Sequence, residues 1–488
     1  MHTTQTLQQM QARKREILEG ETARVEKQAK EGKLNARERV VKLLDANSFV
    51  ELDALAAKDG RAHGVVTGYG TVAGRPVYLF AQDFTVRGGS MSAGQADKIV
   101  KVLDLAQKTG APVVALCDSA GAQLQEGAVA LEAYARVFAR VAGLSGVVPM
   151  LALVLGPCVG AAAILTQLMD FTLVAQGIGQ LMAAGPQVVA AAFGENWPPE
   201  QVGGADVVAA QGGAHLVSPD EDACFARARQ LLELLPSNNL EDAPEDVADD
   251  LNRTLPETGD THALVAALAD AGSVLELGAG YTDAVTAFAK LGGRTVAIAG
   301  TSSGGYLDAA AAAKLARFIR FADCYSIPLV TLVDTQGFAV VKPDGQVALL
   351  RAAAQLLYAY AEATTVKLSV VTGQAIGAAY VALGGKANAD VRYAWPGAVI
   401  APLGSDAAVQ VLYKQEIADS TGDALAVRAQ LADAYATQVA DGVRAAEAGL
   451  LDDVIDPADT RRLLIASLEM LSSKRASNPP KKHGNLPL

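Results

Sequence analysis

The chain repeats itself. Lys98, Pro112, Asp118 and Gly121 each stand 216 positions before Lys314, Pro328, Asp334 and Gly337, and the strings PVVALCDSAG and PLVTLVDTQG fill the same register. Farther on, Gly156-Pro-Cys-Val-Gly160-Ala-Ala matches Gly373-Gln-Ala-Ile-Gly377-Ala-Ala at an offset of 217. One inserted residue over so long a match means that the 488 residues must fold as two copies of one unit. The length agrees, since it is about three times the roughly 150-residue prior for a single core.

Each copy reads as the same α/β unit: strand, charged helix, apolar strand, an Asp-x-x-Gly loop, helix, strand, then a Gly-x-x-x-Gly-Ala-Ala turn into another helix. The first copy supplies RPVYLF from Arg75, KIVKVLDLAQKTG from Lys98, PVVALCD from Pro112 and MLALVLG from Met150. The second supplies RTVAIAG, KLARFIRFADCY, PLVTLVD and TVKLSVVTG. Runs rich in Val and Leu with few alternating polar residues predict strands buried on both faces. An acidic stretch with Pro244 and Pro256 marks residues 241–258 as the linker between an N-terminal domain, 1–240, and a C-terminal domain, 259–488.

Composition removes several classes of function. With 51% hydrophobic residues, only 19% charged and 46 glycines, the chain is neither disordered nor a coiled coil, and its low charge predicts surface hidden in an oligomer. A net charge of -12 has the wrong sign for tracking phosphate backbones, so nucleic acid is excluded as a partner held by charge. Four scattered cysteines and five histidines form no CxxC or HxxxH pattern, so no metal site is expected. The N-terminal stretch is charged throughout and lacks a signal-peptide core, which predicts a cytoplasmic location. Gly146–Met169 is uncharged, yet Pro149 and the Gly156-Pro157 step make it a buried strand, turn and helix rather than a membrane span.

A strand that ends in Gly-x-x-x-Gly-small-small before a helix turns free backbone N–H groups outward at the helix N-terminus, where negative charge is favoured. The expected donors are the amides of Gly160 and Ala161 and of Ala378 and Ala379, each pair holding one oxyanion. One such turn alone is more simply read as close helix–strand packing; two at matched places reverse that preference. Neither copy offers a Ser-His-Asp or Cys-His set: Ser119 has no histidine in its motif, and Cys117 and Cys158 lie in apolar runs as structural thiols. Backbone amides as the main donors suit an enolate.

With the repeat and these turns in place, the sequence resembles the carboxyltransferase subunits of biotin-dependent acyl-CoA carboxylases, transcarboxylases and acyl-CoA decarboxylases. This is the propionyl-CoA carboxylase beta-chain family, with the alpha subunit of methylmalonyl-CoA decarboxylase among its members. The resemblance rests on GKLNARERVVKLLDANSFVELD, QDFTVRGGS, DSAGAQLQEG, GPCVGAAAILTQLMDF, PLVTLVDTQGF, GAAYVALGG, YAWPGAVIAPLG and the terminal KKHGNLPL. It implies two tandem crotonase (ClpP-like) spiral domains, a homohexamer built as a trimer of dimers, and active sites between the N-domain of one subunit and the C-domain of another.

The resemblance also implies a division of labour. The N-domain binds acyl-CoA, with Gly160 and Ala161 on the thioester enolate. The C-domain binds biotin, with Ala378 and Ala379 on its ureido oxygen and Tyr380 and Val381 lining the pocket. Ala120, Gly121, Gly337 and Gly377 frame the substrates, and Lys33, Arg37 and Arg39 with the Arg87-Gly88-Gly89 loop are candidate contacts to CoA; a solvated or salt-bridged helix face is an equal reading of Arg37 and Arg39. No biotin-attachment or ATP motif is present, so biotin arrives on a biotin carboxyl carrier protein. The further partner is a biotin carboxylase subunit or a membrane decarboxylase subunit, the latter implying a peripheral membrane association. The chain departs from the family pattern at Ala120, Ala161 and Ala378, where Gly is usual, and at Gln123, Gln336, Ile376 and Val381. These departures motivate the alternative of a catalytically impaired structural or regulatory subunit.

Overall fold

The computed structural model describes residues 2–19, 22–58, 61–256, 260–419 and 423–486. They divide into two compact units, Met1–Asp242 with Gly278–Tyr281, and Ala243–Leu277 with Thr282–Leu488. The expected linker is not a free tether. From Ala243 to Pro256 it lies along the second unit, with the Asp246 amide on the Gly293 carbonyl at 3.0 Å and the Leu255 amide on the Ala458 carbonyl at 2.9 Å; residues 257–258 fall outside the described ones.

The first unit runs β1 (Val65–Val72), β2 (Arg75–Gln82), α1 (Ala93–Thr109), β3 (Val113–Ser119), α2 (Ala128–Leu144), β4 (Met150–Val159), α3 (Ala161–Leu168) and β5 (Phe171–Ala175). The second repeats this as β6 (Val285–Leu291), β7 (Arg294–Gly300), α4 (Ala309–Cys324), β8 (Leu329–Phe338), α5 (Gln346–Glu362), β9 (Lys367–Ile376), α6 (Gly377–Leu383) and β10 (Val391–Ala394). In each, an antiparallel hairpin (β1–β2, β6–β7) leads into parallel strands in chain order. The ends of β4 and β9 run past the sheet and take a second parallel partner, Gln180–Met182 and Val399–Ala401 respectively. Gly146–Met169 is thus strand, turn and helix, and no helix among the described residues is long and apolar enough to cross a membrane.

The apolar runs form strands because both faces are covered. Val113, Val114, Ala115 and Leu116 are wholly inaccessible, as are Leu151, Ala152, Leu153 and Val154, and each large side chain so buried contributes about 1.5–3 kcal/mol. Ser92 and Asp308 cap α1 and α4 by accepting the Gln95 and Ala311 amides, again 216 positions apart. The repeated lysine now has a reason. Lys98 Nζ donates to the Val65 carbonyl at 2.8 Å and Lys314 Nζ to the Ala284 carbonyl at 2.7 Å, tying the helix to the hairpin, and burial pushes both ammonium groups down to about 8.

A second duplicated device has no constant offset. Asp45 accepts the amides of Ala73 (3.1 Å) and Gly74 (2.9 Å) at the first hairpin turn and pairs with Arg229 at 2.8 Å. Asp270 does the same for Gly292 (3.0 Å), Gly293 (2.7 Å) and Arg461 (2.7 Å). Those amides and Arg229 hold the Asp45 carboxyl well below the usual carboxylate range.

Candidate active site

At the end of β3 the Asp118 carboxylate turns back onto β4. A Cβ on Gly156 would lie 2.0 Å from Asp118 Oδ1, and one on Gly373 would lie 2.3 Å from Asp334 Oδ1, so the first glycine of each motif makes room for an aspartate. The second glycine makes the turn: Gly160 and Gly377 take φ of 60° and 63°, which other residues avoid. Immediately after each aspartate, a hydroxyl steadies the loop, with Ser119 Oγ accepting the Gly121 amide and Thr335 Oγ1 the Gly337 amide, both at 3.2 Å.

The open donors follow from these turns. No side chain caps α3 or α6, so the first-turn amides of Ala161 and Ala162, and of Ala378 and Ala379, have no intrahelical acceptor. Gly160 differs from expectation. Its amide donates to the Met182 carbonyl at 2.8 Å, because β4 continues into its pairing with Gln180–Met182, and it is not an open donor.

The Arg87-Gly88-Gly89 loop comes against the Asp118–Gly121 loop. Ala120 donates its amide to the Gly88 carbonyl at 2.9 Å, and Met91 donates to the Gly121 carbonyl at 2.8 Å. Arg87 is exposed with a φ of 52°. The second unit has the matching pair Gly304-Gly305, which sequence reading missed although the offset of 216 from Gly88-Gly89 points to it. The Gly304 amide donates to the Asp334 carbonyl at 3.1 Å and Thr335 Oγ1 to the Gly305 carbonyl at 2.8 Å.

Charge divides the two copies. Asp118 Oδ2 pairs with Lys33 Nζ at 2.7 Å and Arg39 Nη1 at 2.8 Å, and Arg39 Nη2 reaches Glu221 Oε1 at 2.6 Å, all four side chains being buried. Lys33 also lies 4.8 Å over the Phe84 ring. Arg37 pairs with Glu51 at 2.8 Å. The basic cluster expected to meet CoA is therefore largely a buried charge network, and of those candidates Arg87 is the exposed cation. Asp334 instead accepts the Gln374 amide at 2.8 Å. Because ion pairs lock Asp118, Gly156→Ala should destabilise the first unit by about 2–3 kcal/mol and Gly373→Ala the second by clearly less, as compared by thermal unfolding.

No nucleophile emerges among the described residues. Ser119 Oγ serves Gly121, and His215 Nδ1 accepts the Thr172 amide at 3.0 Å. Cys117, Cys158 and Cys224 are buried, Cys158 being raised by its Cys117 partner and by burial, and Cys224 pushed up to about 12 by burial. Cys324 alone of the four is exposed, so a thiol reagent at pH 8 should titrate one cysteine in the native chain and all four after denaturation. Among the described residues no cluster could hold a metal ion.

On α6, Val381 is exposed, and Tyr380 is half-buried with its hydroxyl raised by burial. The alanines that replace glycine are harmless to the backbone: Ala120, Ala161 and Ala378 avoid left-handed φ, whereas Gly121, Gly160, Gly337 and Gly377 adopt it. Gln123 and Ile376 are buried, and Gln336 is exposed.

The fold and the paired turns define a two-domain α/β protein of crotonase type. The sequence matches the family described as Carboxyl transferase domain over residues 27–486, and the chain belongs to that family. It is 41% identical over 497 residues to the alpha subunit of methylmalonyl-CoA decarboxylase from Veillonella parvula, covering 96% of each chain. It is 40% identical over 505 residues to the methylmalonyl-CoA carboxyltransferase 12S subunit of Propionibacterium freudenreichii subsp. shermanii, covering 98% of this chain and 96% of that one. A crystal structure of transcarboxylase 12S, a hexamer with methylmalonyl-CoA and methylmalonic acid bound, superposes with a TM-score of 0.92 at 39% identity, covering 99% and 98%. The family is biotin-dependent and takes acyl-CoA substrates.

Proposed function

We propose that this chain is the carboxyltransferase component that moves a carboxyl group between biotin on a partner carrier protein and a short-chain acyl-CoA. Acetyl- or propionyl-CoA becomes malonyl- or methylmalonyl-CoA, or the reverse. The observation that carries this reading is the duplicated uncapped turn, one for each carbonyl-bearing reactant, in a chain that matches carboxyltransferases from end to end.

In the first unit the amides of Ala161 and Ala162 hold the thioester oxygen as it gains negative charge, and the loops of Gly88-Gly89 and Ala120-Gly121 shape the approach. Arg87 meets the CoA phosphates. In the second unit Ala378 and Ala379 donate to the biotin ureido oxygen, with Gly337 and Gly377 setting the turn and Tyr380 and Val381 beside it. The residues fit such a group: small side chains let a carbonyl come within hydrogen-bonding reach of the amides, and no capping side chain competes. Held by the Ala378 and Ala379 amides, carboxylated biotin would supply the carboxyl group as CO2, and the ureido nitrogen left with the electrons of the broken N–C bond would accept the α-proton of the acyl-CoA. The partners are a biotin carboxyl carrier protein and a biotin carboxylase or membrane decarboxylase subunit, in a cytoplasmic homohexamer.

The test mixes purified protein with methylmalonyl-CoA or malonyl-CoA carrying a labelled carboxyl group and either free biotin or a biotinylated carrier. Label should appear on biotin in proportion to enzyme. Absence of thioester-dependent transfer with every short-chain substrate would overturn the reading in favour of a structural subunit.

A further inference from the structure

In the first unit the Gly88 carbonyl accepts the backbone amide of Ala120 at 2.9 Å. Residues 304 and 336 occupy the same places in the second copy, each 216 positions on. There the Gly304 carbonyl accepts the side-chain Nε2 of Gln336 at 2.7 Å. The same carbonyl of the repeat is thus met by the main chain in one copy and by a side chain in the other.

The difference matters physically. A backbone donor is fixed by its strand, whereas a glutamine donor must order several side-chain torsions and can let go without disturbing β8. Other bonds keep the loop attached when it does: the Gly304 amide on the Asp334 carbonyl, and Thr335 Oγ1 on the Gly305 carbonyl. A neutral donor also suits the place, since the partly buried Asp334 carboxylate belongs to the same loop pair and an acidic side chain at 336 would face both it and the Gly304 carbonyl.

We propose that Gln336 is a positioning residue that latches the Ser302–Gly305 loop onto the Asp334–Gly337 turn and so sets the shape of the pocket in the second unit. This rests on the reading of that unit as the biotin side. Losing the latch weakens capture of biotin more than capture of acyl-CoA, because the acyl side has its own backbone-made counterpart at Gly88 and Ala120.

Two substitutions test it. Gln336→Met keeps the length and removes the donor; amide exchange of residues 302–306 should rise while that of 88–91 stays as in the wild type. KM for biotin should increase about three- to tenfold, the worth of one ordinary hydrogen bond, with KM for acyl-CoA unchanged and kcat moving far less. Gln336→Glu should show a KM for biotin that falls toward the wild-type value between about pH 6 and pH 4, as the carboxyl regains a proton to donate, a trend that the wild type and Gln336→Met lack. Unchanged exchange at 302–306 in Gln336→Met overturns the latch whatever the activity, and so does an equal rise of both KM values. If exchange rises but the wild type transfers nothing to biotin, the latch stands and the functional reading falls.

Discussion

Replacing Ala161 by proline should lower kcat by about two to three orders of magnitude while leaving the fold intact. Ala161 is the first residue of α3, the helix position at which proline is best tolerated because the N–H has no intrahelical acceptor. Proline also constrains the residue before it. Gly160 has φ 60° and ψ −120°, a positive-φ turn conformation open to glycine and clear of the helical region that proline disfavours. The substitution therefore removes one donor and little else. Circular dichroism and Tm should match the wild type, and Ala161→Ser, which keeps the amide, should retain most activity. A kcat within about threefold of wild type for Ala161→Pro would show that this amide does not hold the oxyanion. Ala378→Pro makes the same cut in the second unit, and the two variants should impair transfer through different half-reactions.

The largest stability effect should come from Arg39→Leu. Arg39 is wholly buried and touches Asp118, Glu221 and the Leu155 carbonyl, so its loss strands two buried carboxylates with Lys33 as the remaining cation. Breaking a buried network in this way costs about 3–5 kcal/mol. For a unit of this size that corresponds to a fall of about 10 °C in its thermal transition. The second unit, which does not share the network, should keep its transition, so calorimetry of the variant should show the first unit unfolding early. Arg39→Lys should fall between, since a point charge cannot replace the guanidinium fork. A shift below about 2 °C would mean that the network does not hold the Asp118 loop in place. Activity should fall with stability, because Asp118 seats on Gly156 immediately before the donor turn.

Much of the architecture was legible because it is written in local pattern. RTVAIAG is β7 from end to end, and MLALVLG opens β4, since an apolar run of that length bounded by glycine and proline has few alternatives to a buried strand. The hairpin clamps of Asp45 and Asp270 escaped notice because their partners drift in offset through loops of unequal length. Gly304-Gly305 could have been found by carrying the repeat one motif further, and was obscured because the flanking TSSGGY shares little but the glycines with FTVRGGS.

By itself the sequence determined that there are two copies of one unit, that each carries a glycine turn into an uncapped helix, and that the chain resembles biotin-dependent carboxyltransferases. Spacing along the chain is one-dimensional, so a duplicated register survives in the sequence however the units fold. Which amides stay open, and which cations are free, was decided only by the tertiary structure. A backbone N–H has a single proton to give, and that of Gly160 goes to Met182 because a distant strand comes alongside. Arg39 looks like a basic residue on a helix face until Asp118, 79 positions away, and Glu221, 182 positions away, close around it and use its charge.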